Sequence, residues 1–141
     1  MDEGICVIER DFVMRQIQQL VNVLTVVFRL KKDGQREQAP EVIEHGLKEA
    51  LGAGVKDLLE MDHDQLLELC SNGGQINSEL VFVLAELLEQ QAELIEGQDF
   101  GQSRLASSKS LMLYKQLVAS GESVPFDIYE RIERLQSILS E

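Results

Sequence analysis

Two histidines, a row of carboxylates and a group of serines are the side chains with the most reactive potential in this sequence. His45 lies among Glu41, Glu44, Lys48 and Glu49, where a general base would fit. No nucleophile or second histidine stands at helical spacing from it, so it reads as a solvent-facing helix residue. His63 stands in Asp62-His63-Asp64, whose residue types suit a metal. Adjacent helical residues point to different sides, however, and the trio reads as a charged first helical turn. Glu86, Glu89, Glu93 and Glu96 recur every three or four residues. Di-iron bundles pair such carboxylates with Glu-x-x-His, which is absent, so the row reads as a wet face.

The remaining chemistry is equally incomplete. Ser107, Ser108 and Ser110 have no histidine within reach by sequence, so a hydrolase triad is unsupported. Gly52-Ala53-Gly54-Val55-Lys56 lacks both the preceding strand and the Lys-Ser/Thr pair of a phosphate loop. Cys6 and Cys70 form no Cys-x-x-Cys pair and no metal spacing. They read as free thiols of a reduced, cytoplasmic protein, with a Cys6–Cys70 disulfide as the alternative. A non-enzymatic protein without cofactor or metal is the expectation. Arg15 stands out among the apolar positions around Phe12 and Gln19. Either it clasps a carboxylate or its stem packs while its head stays wet. Phe12, Arg15, Gln19, Leu94 and Tyr114 are the candidate interaction surface.

The elements that would position these residues are helices. A chain of 141 residues is one domain on length, and at that size roughly 68–70% of the unfolded surface is buried. Leu, Glu and Gln abound, only two prolines interrupt them, and no long stretch alternates with period two. An all-α fold of about six helices follows, as a single domain over 1–141. Helices are predicted over about 9–31, 40–51, 62–70, 76–96 and 100–119, and onward from Pro125, with a short helical turn at 55–60. Residues 1–8 read as a loose lead-in, or as a strip in which Ile5, Val7 and Ile8 dock on the core. In the first helix Val13, Ile17, Leu20, Leu24 and Val27 share one face, widened by Phe12, Val21 and Phe28. The run 80–88 is apolar on more than one side, so other helices must cover it. Asp62 with Gln65 forms a capping-box pair, and Asn77 or Ser78 can cap the helix that follows. Ala106, Ser107, Ser110 and Ala119 allow a close neighbour. Ile128, Ile132, Leu135 and Leu139 make a narrow stripe, with Glu130, Arg131, Glu133 and Arg134 on the other side.

The formal net charge is −12. Residues 37–99 hold fifteen acids against Lys48 and Lys56, whereas 1–36 hold six bases against five acids. An acidic middle repels phosphate and argues against nucleic acid as a partner. The opening Met1-Asp2-Glu3-Gly4 lacks a basic flank and an apolar signal core. The run 21–30 is far short of the ~20 residues that span a bilayer, so no membrane partner is expected.

The segment 76–141 resembles a degenerate tetratricopeptide-repeat hairpin followed by a capping helix. Gly97-Gln98-Asp99-Phe100 is similar to the repeat's turn, and Leu87, Leu94, Ser103, Ser107 and Ser110 fall near its signature positions. The repeat's Trp and Gly are absent from the first helix. The stretch Asp11-Phe12-Val13-Met14-Arg15-Gln16-Ile17 is similar to the opening of an uncharacterised bacterial family that begins Asp-Tyr-x-x-Arg-x-Ile, with Phe12 in place of the Tyr. The first resemblance implies a non-enzymatic helical scaffold or adaptor acting through protein–protein contact. The second implies no activity. Because one repeat is too short for an array, the helices over 9–31 and 40–51 are expected to complete the core, or the broad apolar face of the first to pair two chains as a homodimer. A helical small-molecule or metal binder with a pocket between helices is the alternative.

Overall fold

Ten residues of the helix α5 (Ser78–Ile95) are buried, among them Leu80, Val81, Val83, Leu84, Leu87 and Leu88. That is the apolar helix expected over 80–88, and three other helices pack against it. The computed structural model describes residues 2–121 and 123–140, with side chains from residue 11 onward. Among these residues the fold is all-α: α1 (Asp2–Lys32), α2 (Ala39–Leu51), α3 (Val55–Glu60), α4 (His63–Leu69), α5, α6 (Phe100–Ala119) and α7 (Ile128–Ser140). The short helical turn expected over 55–60 is the six-residue helix α3. The first helix starts at Asp2 instead of near Glu9. The side chains of Cys6, Ile5, Val7 and Ile8 lie outside the described residues.

The packing follows from local signals. Asp62 Oδ1 accepts from Gln65 N at 2.8 Å while Asp62 N donates to Gln65 Oε1 at 2.9 Å, the reciprocal cap expected for α4. Asn77 Oδ1 accepts from Leu80 N at 3.0 Å and starts α5. The break before α5 is a two-residue hairpin, in which β1 (Ser71–Asn72) pairs with β2 (Gln75–Ile76). Gly73 and Gly74 at its tip have φ of 59° and 83°. Two consecutive positive φ values are what a type I′ hairpin turn requires, and glycine adopts them without strain. The α5–α6 pair closes along a seam of small residues. Ser103, Ala106, Ser107 and Ser110 are buried. Ser103 Oγ donates to Ala92 O and Ser110 Oγ to Ala85 O, both at 2.7 Å, so the hydroxyls bond across the crossing.

The α1–α2 crossing is closer still. A Cβ placed on Gly46 would lie 2.3 Å from Val23 Cγ2. Valine is stiff at χ1 and cannot swing aside freely. Gly46→Ala should therefore lose about 1 kcal/mol by overpacking, despite the roughly 1 kcal/mol that alanine offers a helix. In a Val23→Ala background the same substitution should become stabilising. Urea unfolding of the four variants reads this reversal of sign.

Candidate functional site

Along α1, Met14, Ile17, Val21, Leu24 and Phe28 recur at 3-4-3-4 spacing, the seam pattern of a coiled coil. Ile17 and Leu24 pack on the core, but Met14, Val21 and Phe28 are 59%, 41% and 46% exposed. The seam is therefore half covered. Facing it, α5 presents Glu79, Phe82, Val83 and Glu86, again three and four residues apart. Between them runs a groove of about 440 Å³, lined by Ile17, Val21, Leu24, Phe28, Phe82 and Val83 and also by Val124 and Pro125. Among the described residues its charged lining is Glu79 and Glu86. A second hollow of about 330 Å³ shares Ile17 and Glu79 and reaches Met14 and Asn77.

One wall of the groove backs onto a buried charge cluster. Glu89 is only 8% exposed. Its Oε1 accepts from the Tyr114 hydroxyl at 2.9 Å, and its Oε2 accepts from Arg134 Nε at 3.2 Å and also from Arg134 Nη2. Arg131 Nη1 donates to the Tyr114 oxygen at 3.1 Å and lies 3.3 Å from Glu86 Oε2, while its Nε donates to Asp127 Oδ2 at 3.0 Å. The Arg131 guanidinium also covers the Phe82 ring, 5.4 Å from its centroid. Phe82 and Tyr114 meet at a tilted 60° with centroids 5.9 Å apart. Two arginines of α7, one of them steadied by Asp127, thus lock onto two carboxylates of α5 and a hydroxyl of α6.

This corrects two expectations. The carboxylate row is not a wet face: Glu93 and Glu96 are exposed, but Glu86 is half-buried and Glu89 is buried, because α7 delivers arginines to them. Tyr114 is not a surface residue either. It is fully buried, since it continues the α6 seam four residues after Ser110. Burial pushes its hydroxyl well above the ordinary tyrosine range, and Glu89 adds to that. Burial pulls the Arg131 guanidinium toward neutrality, but its bond to Tyr114 and the charges of Asp127 and Glu86 outweigh this and keep it charged.

Glu86 shows the opposite balance. Burial raises its carboxyl above the ordinary glutamate value of 4.5, and Arg131 only partly offsets this. A carboxyl with a raised folded-state value holds its proton more tightly in the native state, so stability is lost as pH climbs from about 4.5 through that raised value. Glu86→Gln should accordingly raise the melting temperature at pH 7, with the gain shrinking toward pH 4.5. Paired thermal melts at the two pH values measure this.

The other candidates lie apart from the groove. Phe12, Arg15 and Gln19 are exposed on the opposite side of α1, about half a turn away at 3.6 residues per turn. Arg15 clasps no carboxylate among the described residues, and Gln19 borders a hollow shared with His45 on α2. Leu94 is half-buried against the core. His45 is exposed and pairs with Glu49 at 3.1 Å, as its solvent-facing reading requires. His63 lies in the charged first turn of α4, as expected, but its ring is half-buried. Its Nε2 lies 3.3 Å from Gln116 Oε1 on α6, and its Nδ1 is buried without a hydrogen-bond partner. Cys70 is a free, buried thiol whose pKa is pushed up to about 12 by desolvation, which makes it a poor nucleophile. Among the described residues no three His, Cys, Asp or Glu side chains converge as metal ligands, and no helix is long and apolar enough to cross a membrane. No protein-family model, curated protein or solved structure matches the chain.

Proposed function

We propose that this protein is a non-enzymatic helical scaffold or adaptor that works by protein–protein contact at the groove between α1 and α5. The half-covered 3-4-3-4 seam of α1 carries this reading. A seam of that spacing is completed by a further helix, and its three exposed members gain nothing from water. The α5–α6 hairpin with α7 behind it fits the likeness to a tetratricopeptide unit, whose packed helix pairs present such furrows to partners. Retention of a partner from extract of the native cell by wild-type bait, and its loss with a Val21→Glu, Phe28→Glu double variant, is the expected result. Equal retention by both baits would count against the groove.

The volume of the groove favours a second reading, a helical small-molecule binder. About 440 Å³ of apolar lining falls within the roughly 300–1,000 Å³ of ligand pockets. A ligand-shift melting screen separates the two, because a pocket ligand raises the melting temperature and an adaptor groove leaves the screen empty. The homodimer option has its own test. Sedimentation at tens of micromolar that gives a strict monomer removes it.

A further inference from the structure

We infer that the occupant of the groove is a basic amphipathic helix of about three to four turns supplied by another protein, an inference that rests on the contact reading above. Three observations carry it. First, the walls are helices α1 and α5, and the α1 stripe from Met14 to Phe28 is a two-heptad seam about 21 Å long. A helix of matching length completes such a seam with apolar residues at its own a and d positions. Second, Glu79 and Glu86 stand seven residues apart on α5, one heptad, bracketing Phe82 and Val83. Glu79 is exposed, and although Arg131 pairs with Glu86, the acids Glu86, Glu89 and Asp127 outnumber Arg131 and Arg134, so both positions stay net negative and favour Lys or Arg on the partner. Third, among the described residues no base lines the groove, and two of those near it are engaged. Arg131 is held by Glu86, Asp127 and Tyr114, and Lys31 by Glu93 and Gln90. The net charge of −12 adds a long-range attraction for a cationic partner. A second copy of this chain would bring the same acids to the rim, which disfavours self-pairing there.

Binding of the full chain to three fluorescein-labelled helical peptides of about 18 residues, read by anisotropy, tests this. One peptide has Leu at a and d with Lys flanking at heptad spacing, the second has Glu in place of Lys, and the third is a scramble of the first. The Lys peptide should bind at least about tenfold more tightly than the other two at low salt. Glu79→Lys should weaken it several-fold, whereas Glu41→Lys, an equal charge change on the exposed face of α2, should leave it unchanged. Circular dichroism checks that each variant keeps its helicity. Lys and Glu peptides bound equally, both released by Val21→Glu, would end the charge inference and leave the contact reading standing. Equal weakening by Glu79→Lys and Glu41→Lys would reduce the attraction to non-specific electrostatics and overturn the inference. So would the absence of binding by any peptide, or a sedimenting dimer abolished by Val21→Glu.

Discussion

Glu89→Ala should destabilise the protein by about 3 kcal/mol, the lower end of what removing one partner of a buried pair costs. The melting temperature should fall by roughly 6–12 °C for a chain of this size. The change strands the buried Tyr114 hydroxyl without an acceptor and takes a carboxylate from between Arg131 and Arg134. Arg131 keeps Asp127 and Glu86, and Arg134 is 56% exposed along its side chain and can turn to water. Those escapes hold the cost below the top of the range. For the same reason Arg134→Ala should cost under about 1 kcal/mol. Glu89→Gln, which still accepts from Tyr114, should fall between the two. Thermal melts of the three variants rank them. A Glu89→Ala protein that melts with the wild type would mean that the cluster does not hold α7 in place.

The second large effect lies at the centre of α5. Leu84 is fully buried in the main core cluster, on a helix packed by α1, α2 and α6. Walls built from three helices cannot collapse easily into the space that truncation leaves. Leu84→Ala should therefore cost about 3–5 kcal/mol, the upper part of the usual range for this change. Leu105→Ala, at an exposed position of α6, should stay within about 0.5 kcal/mol. Urea unfolding with unchanged m-values would assign the difference to native-state packing.

The parts of this fold that were legible in the sequence are those set by neighbours along the chain. The run of apolar residues at 80–88 marked the central helix, Asp62 with Gln65 and Asn77 marked helix starts, and small residues in α6 marked the close crossing with α5. The charge cluster was not legible, because a carboxylate row at helical spacing looks the same whether it meets water or arginine. Deciding between them needs Arg131 and Arg134, more than forty residues further on, to be placed against Glu86 and Glu89. A signal did exist: Ser103, Ser107, Ser110 and Tyr114 follow one another at four, three and four residues, which puts the tyrosine in the seam. The groove was half legible. The stripe from Met14 to Phe28 is written in α1, but whether it lies open depends on where α5 and the segment around Val124 come to rest. Phe12 and Arg15 drew notice as oddities of composition, and they face away from the furrow.

Photo-crosslinking in the native cell tests the contact proposal most directly. A benzophenone amino acid is placed at Phe28, inside the groove, and in a separate protein at Phe12, on the far side of α1 and comparably exposed. A discrete adduct with another protein from position 28, and none from position 12, is the expected result. Adducts from position 12 with none from position 28 would contradict it and move the contact surface to the other face of the helix.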